Sequence, residues 1–501
     1  TSLRTTGDAM QKQAANALLP LLSQSVLLAN RYDTVVANPP YIGSKWMNSL
    51  LKNYIALNYP TSKPDLYAAF IELATYLLKP SAYAGIVAME SWMFLPTFSA
   101  FREQMFTKIK MIDLVHMPYE GRGRTSMGIY FGTAAFIYSA NRNEGYLGNY
   151  QCIRFNEIDS HGVPFAFPTI NDRSCTRSIS DFSSIPGKPL AYWVSDEIIQ
   201  AFSYKENHIS IGTLAEVRKG LATGDNERFI REWHEVNIKD INMDGSEDKS
   251  WSKCNNGGDF RKWYGNQGSV IFWKNDGFDI RNFKDESGKL RSRPQGLDKK
   301  YLPMVSWTSA SASCLGVRYY QSGFISDQNG NFITSTKIQH LYSVLAFLCS
   351  TSAKKLTDLL NPTKHILVSN ISDLPLPSYF LNSDIVINAT MEAIEIARED
   401  WNSIETSIDF RIDPLVSISK ASPKTLMSSY SEFKNKWEVK TDRLFEIECL
   451  INSLAEKSFD GNSTSEPSIH RSEITLLNNP WFIYKTNNNT SDIDFIFKSK
   501  K

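Results

Sequence analysis

The chain has 501 residues, more than a single hydrophobic core organises, so about two to four domains are expected. Its formal net charge of +1 excludes a globally basic DNA-coating protein and leaves room for a local basic cleft. Six widely separated cysteines without a Cys-x-x-Cys pair, seven scattered histidines without a His-x-x-x-His pair, and no apolar run of membrane-spanning length argue against a metal site and a transmembrane segment, and fit reduced thiols in a cytoplasmic location.

In chain order, the first strong signal is the apolar run Thr34-Val35-Val36-Ala37, which reads as a short buried strand ending at Asn38-Pro39-Pro40-Tyr41. Such a tetrapeptide suits methyl transfer to a planar amino group. An exocyclic amine on an aromatic base is a poor nucleophile because its lone pair is delocalised into the ring. Two fixed acceptors aimed at its hydrogens favour the more tetrahedral nitrogen that attack on a sulfonium methyl requires. The Asn38 side-chain oxygen and the Pro39 carbonyl, held by the rigid Pro-Pro unit, are the two acceptors, and Tyr41 offers an aromatic face. Asn and Pro are also turn formers, so a plain strand-ending turn is the competing interpretation. Asn478-Asn479-Pro480-Trp481 is a second near-match, but it lacks the strand and reads as a turn.

Further strand and helix signals follow up to about Ser139 and suit half of a doubly wound sheet, and Lys63 to Phe70, Tyr83 to Met89 and Ile129 to Ser139 resemble, in order, a helix, the strand after it and a later hairpin strand of amino-group DNA methyltransferases. Any single side chain among these fits ordinary core packing. Glu120-Gly121-Arg122-Gly123-Arg124 is the nearest Gly-rich string, but it precedes a strand and carries two arginines where small residues would be needed, so it reads as a loop.

Residues 140–206 are rich in Asn, Ser and Pro and read as a connecting region. From Ile211 to Asn226 a strand leads into a Gly-, Thr- and Asn-rich loop, in which Arg218, Lys219, Thr223, Asn226 and Arg228 are candidates for bringing donors and cations to phosphates. The competing interpretation is a solvated hairpin. Downstream, aromatics alternate with cations at Arg261-Lys262-Trp263-Tyr264, Phe272-Trp273-Lys274, Arg281-Asn282-Phe283-Lys284 and Arg291-Ser292-Arg293. That pattern suits duplex DNA, with Lys274 and Arg281 as candidate phosphate contacts, although half or more of these aromatics are expected in the core. Ile387, Met391, Ile394, Trp401, Ile404 and Ile408, then Leu426, Tyr430, Phe433, Trp437, Leu444, Ile447, Ile451 and Leu454, mark the seam of two amphipathic helices. Asp413-Pro414 and Ser422-Pro423 punctuate the turn between them, and residues 461–501 read as a polar tail.

Residues 31–139 resemble the second half of an amino-group DNA methyltransferase of the adenine-N6 kind, with Asn38 to Tyr41 matching its catalytic motif. Residues 211–226 look like the opening of a target recognition domain, and Val368 to Pro377 resembles the exit from such a domain into spacer helices. Ala397-Arg398-Glu399-Asp400-Trp401-Asn402-Ser403-Ile404-Glu405-Thr406-Ser407 looks like a signature of the PglX-type adenine methyltransferases of BREX phage-exclusion systems. The fold implied is α/β: part of a doubly wound, Rossmann-like methyltransferase sheet over residues 1–139, a mixed α/β target recognition domain over 207–380 and a long helical pair over 381–460.

The resemblance implies S-adenosylmethionine as cofactor, with its Gly-rich loop expected upstream of Thr1, and double-stranded DNA as substrate. It implies an adenine rotated out of the stack, with Tyr41 stacking on it and Asp65, Met127 and Phe131 lining the pocket. Other BREX subunits and phage-encoded DNA-mimic inhibitors are the implied partners, and marking of host DNA by adenine-N6 methylation is the implied function. A non-catalytic DNA-recognition module of a defence complex, an RNA methyltransferase and a protein-glutamine methyltransferase are the alternatives.

Overall fold

The computed structural model describes residues 2–119, 131–161, 163–203, 207–309, 315–361, 365–421, 425–459 and 469–484. The chain divides into two compact units, Thr1–Ile199 and Gln200–Lys501. Both mix helix and strand.

The first unit is built on a six-stranded sheet. After the helix α1 (Ala9–Ala29), opened by an Asp8/Gln11 capping box, come β1 (Tyr32–Ala37), α2 (Ser49–Asn58), α3 (Leu66–Leu77) and β2 (Leu78–Met89). Then follow α4 (Ser99–Phe106), β3 (Lys110–Met117), β4 (Thr133–Ser139), β5 (Leu147–Cys152) and β6 (Cys175–Ser178). The strand order is β1-β2-β4-β3-β5-β6. β1 and β2 run parallel, joined by a crossover that contains α3, while β4 lies antiparallel between β2 and β3. Hence β1, β2 and β3 all end at one edge of the sheet. In doubly wound folds the carboxyl edge is where ligands gather.

Alternation along β2 turns Ala82, Ala84, Ile86 and Ala88 into the interior. α3 covers that face with Leu66, Tyr67, Ala68, Ala69, Ile71 and Ala74. Arg102 on α4 is buried with its guanidinium held by the carbonyls of Trp92 and Leu95 (2.9 Å each) and Gly187 (2.8 Å), and burial pushes its pKa down to about 10.

Two sequence expectations change here. β1 exists but is not buried: Val36 is 78 % exposed. β1 pairs with β2 alone and forms the edge of the sheet, and no residue of α1 is buried against it. Residues 140–206, expected to be a connector, supply β5 and β6. Short strands separated by polar loops leave little periodic signal in such a composition.

The second unit contains two small sheets. In one, Ile241–Asn242, Trp251–Asn255, Ser269–Phe272 and Ile230–Glu232 lie in that order, with Phe324–Ser326 added on Trp251–Asn255. In the other, Val317–Tyr320, Met304–Thr308, Gly330–Thr334 and Glu216–Arg218 form an antiparallel set. A further two-stranded pairing joins His208–Ser210 to Pro375–Pro377, so the two ends of the 207–380 segment hydrogen-bond to each other.

Two long helices, α5 (Asp384–Asn402) and α6 (Leu426–Phe459), follow, with a shorter helix Pro414–Ala421 between them. Glu392 pairs with Arg443, while Glu399 pairs with Lys436 and Lys440. Ascending numbers on one helix meet descending numbers on the other, so the pair is antiparallel. The seam differs from the expected one in part: Trp437, Leu444, Ile447 and Ile451 are buried, but Met391 (49 % exposed) and Leu426 (77 %) are not. On α5 the buried face is instead carried by Val386, Ala389, Ala393, Ile394, Ile396 and Ala397, where an alanine ladder lets the helix lie close to its neighbours. The tail is also less polar in role than expected. Ile474, Leu476 and Trp481 are buried, and Asn478-Asn479-Pro480-Trp481 leads into a short helix, α7 (Pro480–Tyr484).

Candidate active site

β1 ends at Ala37, and the chain turns out of the sheet through exposed Asn38, buried Pro39, exposed Pro40 and half-buried Tyr41. Here the structure brings several of the sequence-derived residues together. The Tyr41 hydroxyl donates to Asn38 Oδ1 at 3.1 Å and lies 3.4 Å from the Val87 carbonyl on β2. Its ring meets Phe131 edge-on at 5.3 Å between centroids and Tyr67 edge-on at 6.0 Å. Burial pushes the Tyr41 hydroxyl pKa up, which keeps it protonated and a donor.

Asp65 acts on the loop that follows. It is the N-cap of α3, and its Oδ1 accepts the Ile42 amide at 3.0 Å and the Tyr67 amide at 3.4 Å. Leu66 N donates to the Ile42 carbonyl and Ser44 N to the Pro64 carbonyl, 3.0 Å each, so residues 42–44 are zipped against 64–66. Burial raises the Asp65 pKa, and the backbone donors oppose that shift. Asp65 is thus a positioning residue for the segment carrying Tyr41. Asp65→Ala is expected to cost about 1–2 kcal/mol of unfolding free energy, and Asp65→Asn, which still caps, less than half of that, as measured by urea denaturation.

Met127 and Glu120 to Arg124 lie outside the described residues. Sequence reasoning missed Tyr67, which is fully buried with its hydroxyl 2.7 Å from Ser91 Oγ, and Glu90, the first residue beyond β2. A carboxylate directly after an apolar strand, on the edge shared with Asn38, was the available signal.

In the second unit, the loop from Gly220 to Asn226 is bolted to the segment 326–328. Leu221 N donates to the Ser326 carbonyl and Gln328 N to the Leu221 carbonyl, 2.8 Å each. A Cβ on Gly220 would lie 2.1 Å from the Asp327 carbonyl oxygen, so only glycine permits this approach. Thr223, expected to face phosphates, is fully buried: its hydroxyl bonds Asn226 Oδ1 and accepts the Asp225 amide. Asn226 in turn bonds the Asp327 carboxyl, which is buried and has its pKa raised by that burial. These two side chains hold the loop's shape, because an interior hydroxyl and amide must find partners.

The cations sort into paired and free. Arg218 is bound to Glu216 (2.6 Å), and Arg281 to Asp276 (2.8 Å). Among the described residues Lys219, Arg228 and Lys274 have no carboxylate partner and are exposed. Arg228 lies over Phe229 (5.0 Å) and Phe283 (5.2 Å), and Arg291 also lies over Phe283 (5.4 Å). Arg261 and Lys262 are interior ion-pair partners of Asp400 and Glu448, and Trp263, Tyr264 and Trp273 are buried. Among the described residues no group of three or more His, Cys, Asp or Glu could hold a metal, and no helix is long and apolar enough to cross a membrane.

Residues 8–121 match the Eco57I restriction-modification methylase family. The chain is 32% identical over 489 residues to the adenine-specific methyltransferase BrxX of Escherichia coli O9:H4 (strain HS), covering 96% of this chain and 38% of that protein. It is 32% identical over 405 residues to the adenine-specific methyltransferase PglX of Lacticaseibacillus casei (strain Zhang), covering 78% of this chain and 33% of that one. It therefore spans less than two fifths of the length of either relative. Among solved structures, the Type IIL restriction-modification enzyme MmeI in complex with DNA aligns over 90% of this chain and 57% of its own, at 11% identity and a TM-score of 0.46. The Type ISP enzyme LlaGI with a DNA substrate mimic aligns over 79% and 44%, at 12% identity and a TM-score of 0.42. On the two sequence relatives, this chain is similar over most of its length to the BrxX and PglX adenine-specific methyltransferases, of which it spans a part.

Proposed function

We propose that this chain supplies the target-base side of a DNA adenine-N6 methyltransferase, together with the module that recognises its DNA site. One observation carries this reading: Asn38-Pro39-Pro40-Tyr41 leaves the carboxyl edge of a parallel strand with Tyr41 packed edge-on to Phe131 and Tyr67. In the proposed reaction an adenine leaves the duplex stack and its amine enters this edge. The Asn38 carboxamide oxygen and the Pro39 carbonyl accept the two N6 hydrogens, which localises the nitrogen lone pair. Tyr41 stacks on the base, and Phe131 closes the pocket from the side. Asp65 holds Ile42 and hence the loop on which these groups sit. Orientation and fixed dipoles supply the acceleration.

S-adenosylmethionine supplies a sulfonium methyl in chemistry of this kind. A cradle for it needs a glycine turn between a strand and a helix, where backbone approaches the ligand closely. Among the described residues of the first unit the one glycine with positive φ is Gly187, which lies in a loop after a 3-10 turn and opens no helix. No such turn opens a helix among the described residues of the first unit, and only the acceptor side of the reaction is assigned to them.

Lys219, Arg228 and Lys274 are proposed as phosphate contacts, because each is an exposed cation with no carboxylate to satisfy it. Arg228→Ala is expected to weaken duplex binding uniformly across sequences and to lower the slope of log affinity against log salt by about 1, measured by filter binding between about 50 and 200 mM salt. From the resemblance of Ala397 to Ser407 to the PglX-type methyltransferases of BREX systems, the product is inferred to be a mark on host DNA within a phage-exclusion system. The deciding experiment supplies the intact polypeptide with methyl-labelled S-adenosylmethionine and unmodified duplex DNA, structured RNA or protein. Label appearing as N6-methyladenine in DNA is the expected result, and label confined to RNA or protein overturns the assignment.

A further inference from the structure

The end of β2 and the residues just beyond it touch Tyr41 and Tyr67 of the candidate site and the backbone next to Phe131. The Val87 carbonyl faces the Tyr41 hydroxyl, Ser91 Oγ meets the Tyr67 hydroxyl, and Glu90 N donates to the carbonyl of Gly132 at 2.9 Å, next to Phe131. Glu90 does more than make that backbone contact. Its carboxylate lies against Gly132 so closely that a Cβ there would come within 2.1–2.3 Å of the carboxyl carbon and both oxygens. Gly132 opens onto β4, whose first residue, Thr133, pairs with Met89 on one side and Met117 on the other.

The carboxylate is itself fixed. Glu90 Oε2 lies 2.6 Å from Nε2 of His116, a buried residue of β3, and Nδ1 of that ring lies 2.9 Å from the Tyr192 hydroxyl. An ionised carboxylate only accepts, so Nε2 donates to it, and Nδ1 shares the ring's second hydrogen bond with the Tyr192 hydroxyl. Phe94 and Trp193 pack beside the imidazole, with centroids 6.5 and 6.4 Å away. The ring therefore has one orientation, and Glu90 has one place to be.

We propose that Glu90 and His116 form a positioning pair for the transfer reaction: oriented by Tyr192, they set Gly132 and with it the Phe131 ring that packs on Tyr41. This inference rests on the proposed function and adds a specific support to the far wall of the base pocket. Neither residue touches the reacting amine. Their effect is on the geometry of the bound base, and a displacement of about 1 Å in such geometry is worth about 10²-fold in rate.

The test uses the intact polypeptide, unmodified duplex DNA and labelled S-adenosylmethionine. Glu90→Ala is expected to lower kcat about 10- to 100-fold with the KM for DNA changed less than about twofold. Glu90→Gln, whose carboxamide oxygen still accepts from His116 Nε2, is expected to restore kcat to within about threefold of the parent. Gly132→Ala, which collides with the carboxylate, is expected to mimic Glu90→Ala, and the double substitution Glu90→Ala, Gly132→Ala is expected to be no worse than either single one, since the collision is gone. A Glu90→Ala protein with unchanged kcat, a Glu90→Gln protein as impaired as Glu90→Ala, or losses in the two single variants that multiply in the double one would each overturn the proposal. If Glu90→Ala fails to fold, Gly132→Ala decides: reduced kcat supports the pair and full kcat overturns it. Asn38→Ala separates the two claims. Label incorporation that survives it removes the site itself, whereas loss there with a normal Glu90→Ala removes only the positioning pair.

Discussion

Asn38→Ala is expected to lower methyl incorporation into DNA by at least about 10²–10³-fold, equivalent to about 2.7–4 kcal/mol of transition-state stabilisation. In the proposed reaction the carboxamide oxygen is one of two acceptors for the adenine amine, the other being the Pro39 carbonyl. The side chain is exposed, and its visible bond is to the hydroxyl of Tyr41, so its removal leaves no buried group unsatisfied. DNA affinity and the melting temperature should stay within error of the parent. Labelled-methyl incorporation, filter binding and thermal denaturation on one preparation check all three. Asn38→Asp offers a control: it retains an oxygen but places a negative charge at the edge, and it is expected to be impaired.

Asp400→Ala is expected to cost the second unit about 3–5 kcal/mol, by leaving the Arg261 guanidinium buried without its counter-charge. Asp400 is fully buried, 2.8 Å from Arg261 Nη2, and it accepts the amides of Leu477 (2.7 Å) and Asn478 (2.9 Å) and the Asn478 side chain (3.0 Å). One carboxylate thus ties the loop that carries Arg261, α5 and the segment before α7. Burial raises the Asp400 pKa and lowers that of Arg261, so for both groups desolvation outweighs the attraction between them. The double substitution Arg261→Met, Asp400→Leu is therefore expected to cost less than Asp400→Ala alone. Urea denaturation followed by tryptophan fluorescence measures the difference. Limited proteolysis should cut within 469–484 of Asp400→Ala first. Equal costs for the single and double substitutions would contradict this account.

Features set by local chemistry were legible in the sequence. The tetrapeptide after β1, the helix from Asp65 onward and the alternation of β2 each need only a few neighbouring residues to be recognised, and all three meet at one edge of the sheet. Features set by distant partners were not. Val36 belongs to a β-branched run that reads as interior, yet nothing local reveals that its strand lies at a sheet edge. Thr223 and Asn226 look like surface ligands for phosphate until they are seen to bond each other in a loop pinned against Asp327, a hundred residues on. On α5 the large apolar residues drew attention to Met391, while Ala389, Ala393 and Ala397 do the packing, because close approach of a helix favours small side chains. The Glu90–His116–Tyr192 chain was invisible for the same reason: its members are 26 and 76 residues apart.

The pairing of His208–Ser210 with Pro375–Pro377 has an evolutionary corollary. Because the stretch between them leaves and returns at hydrogen-bonded neighbours, one exchange of residues 211–374 replaces that whole stretch without cutting a strand pairing at the joints. Such an exchange meets a constraint at Arg261 and Lys262, whose counter-ions Asp400 and Glu448 lie outside the swapped piece. A transplanted stretch that brings its own Arg and Lys to those two places inherits a finished socket; one that does not leaves two acids stranded inside the protein.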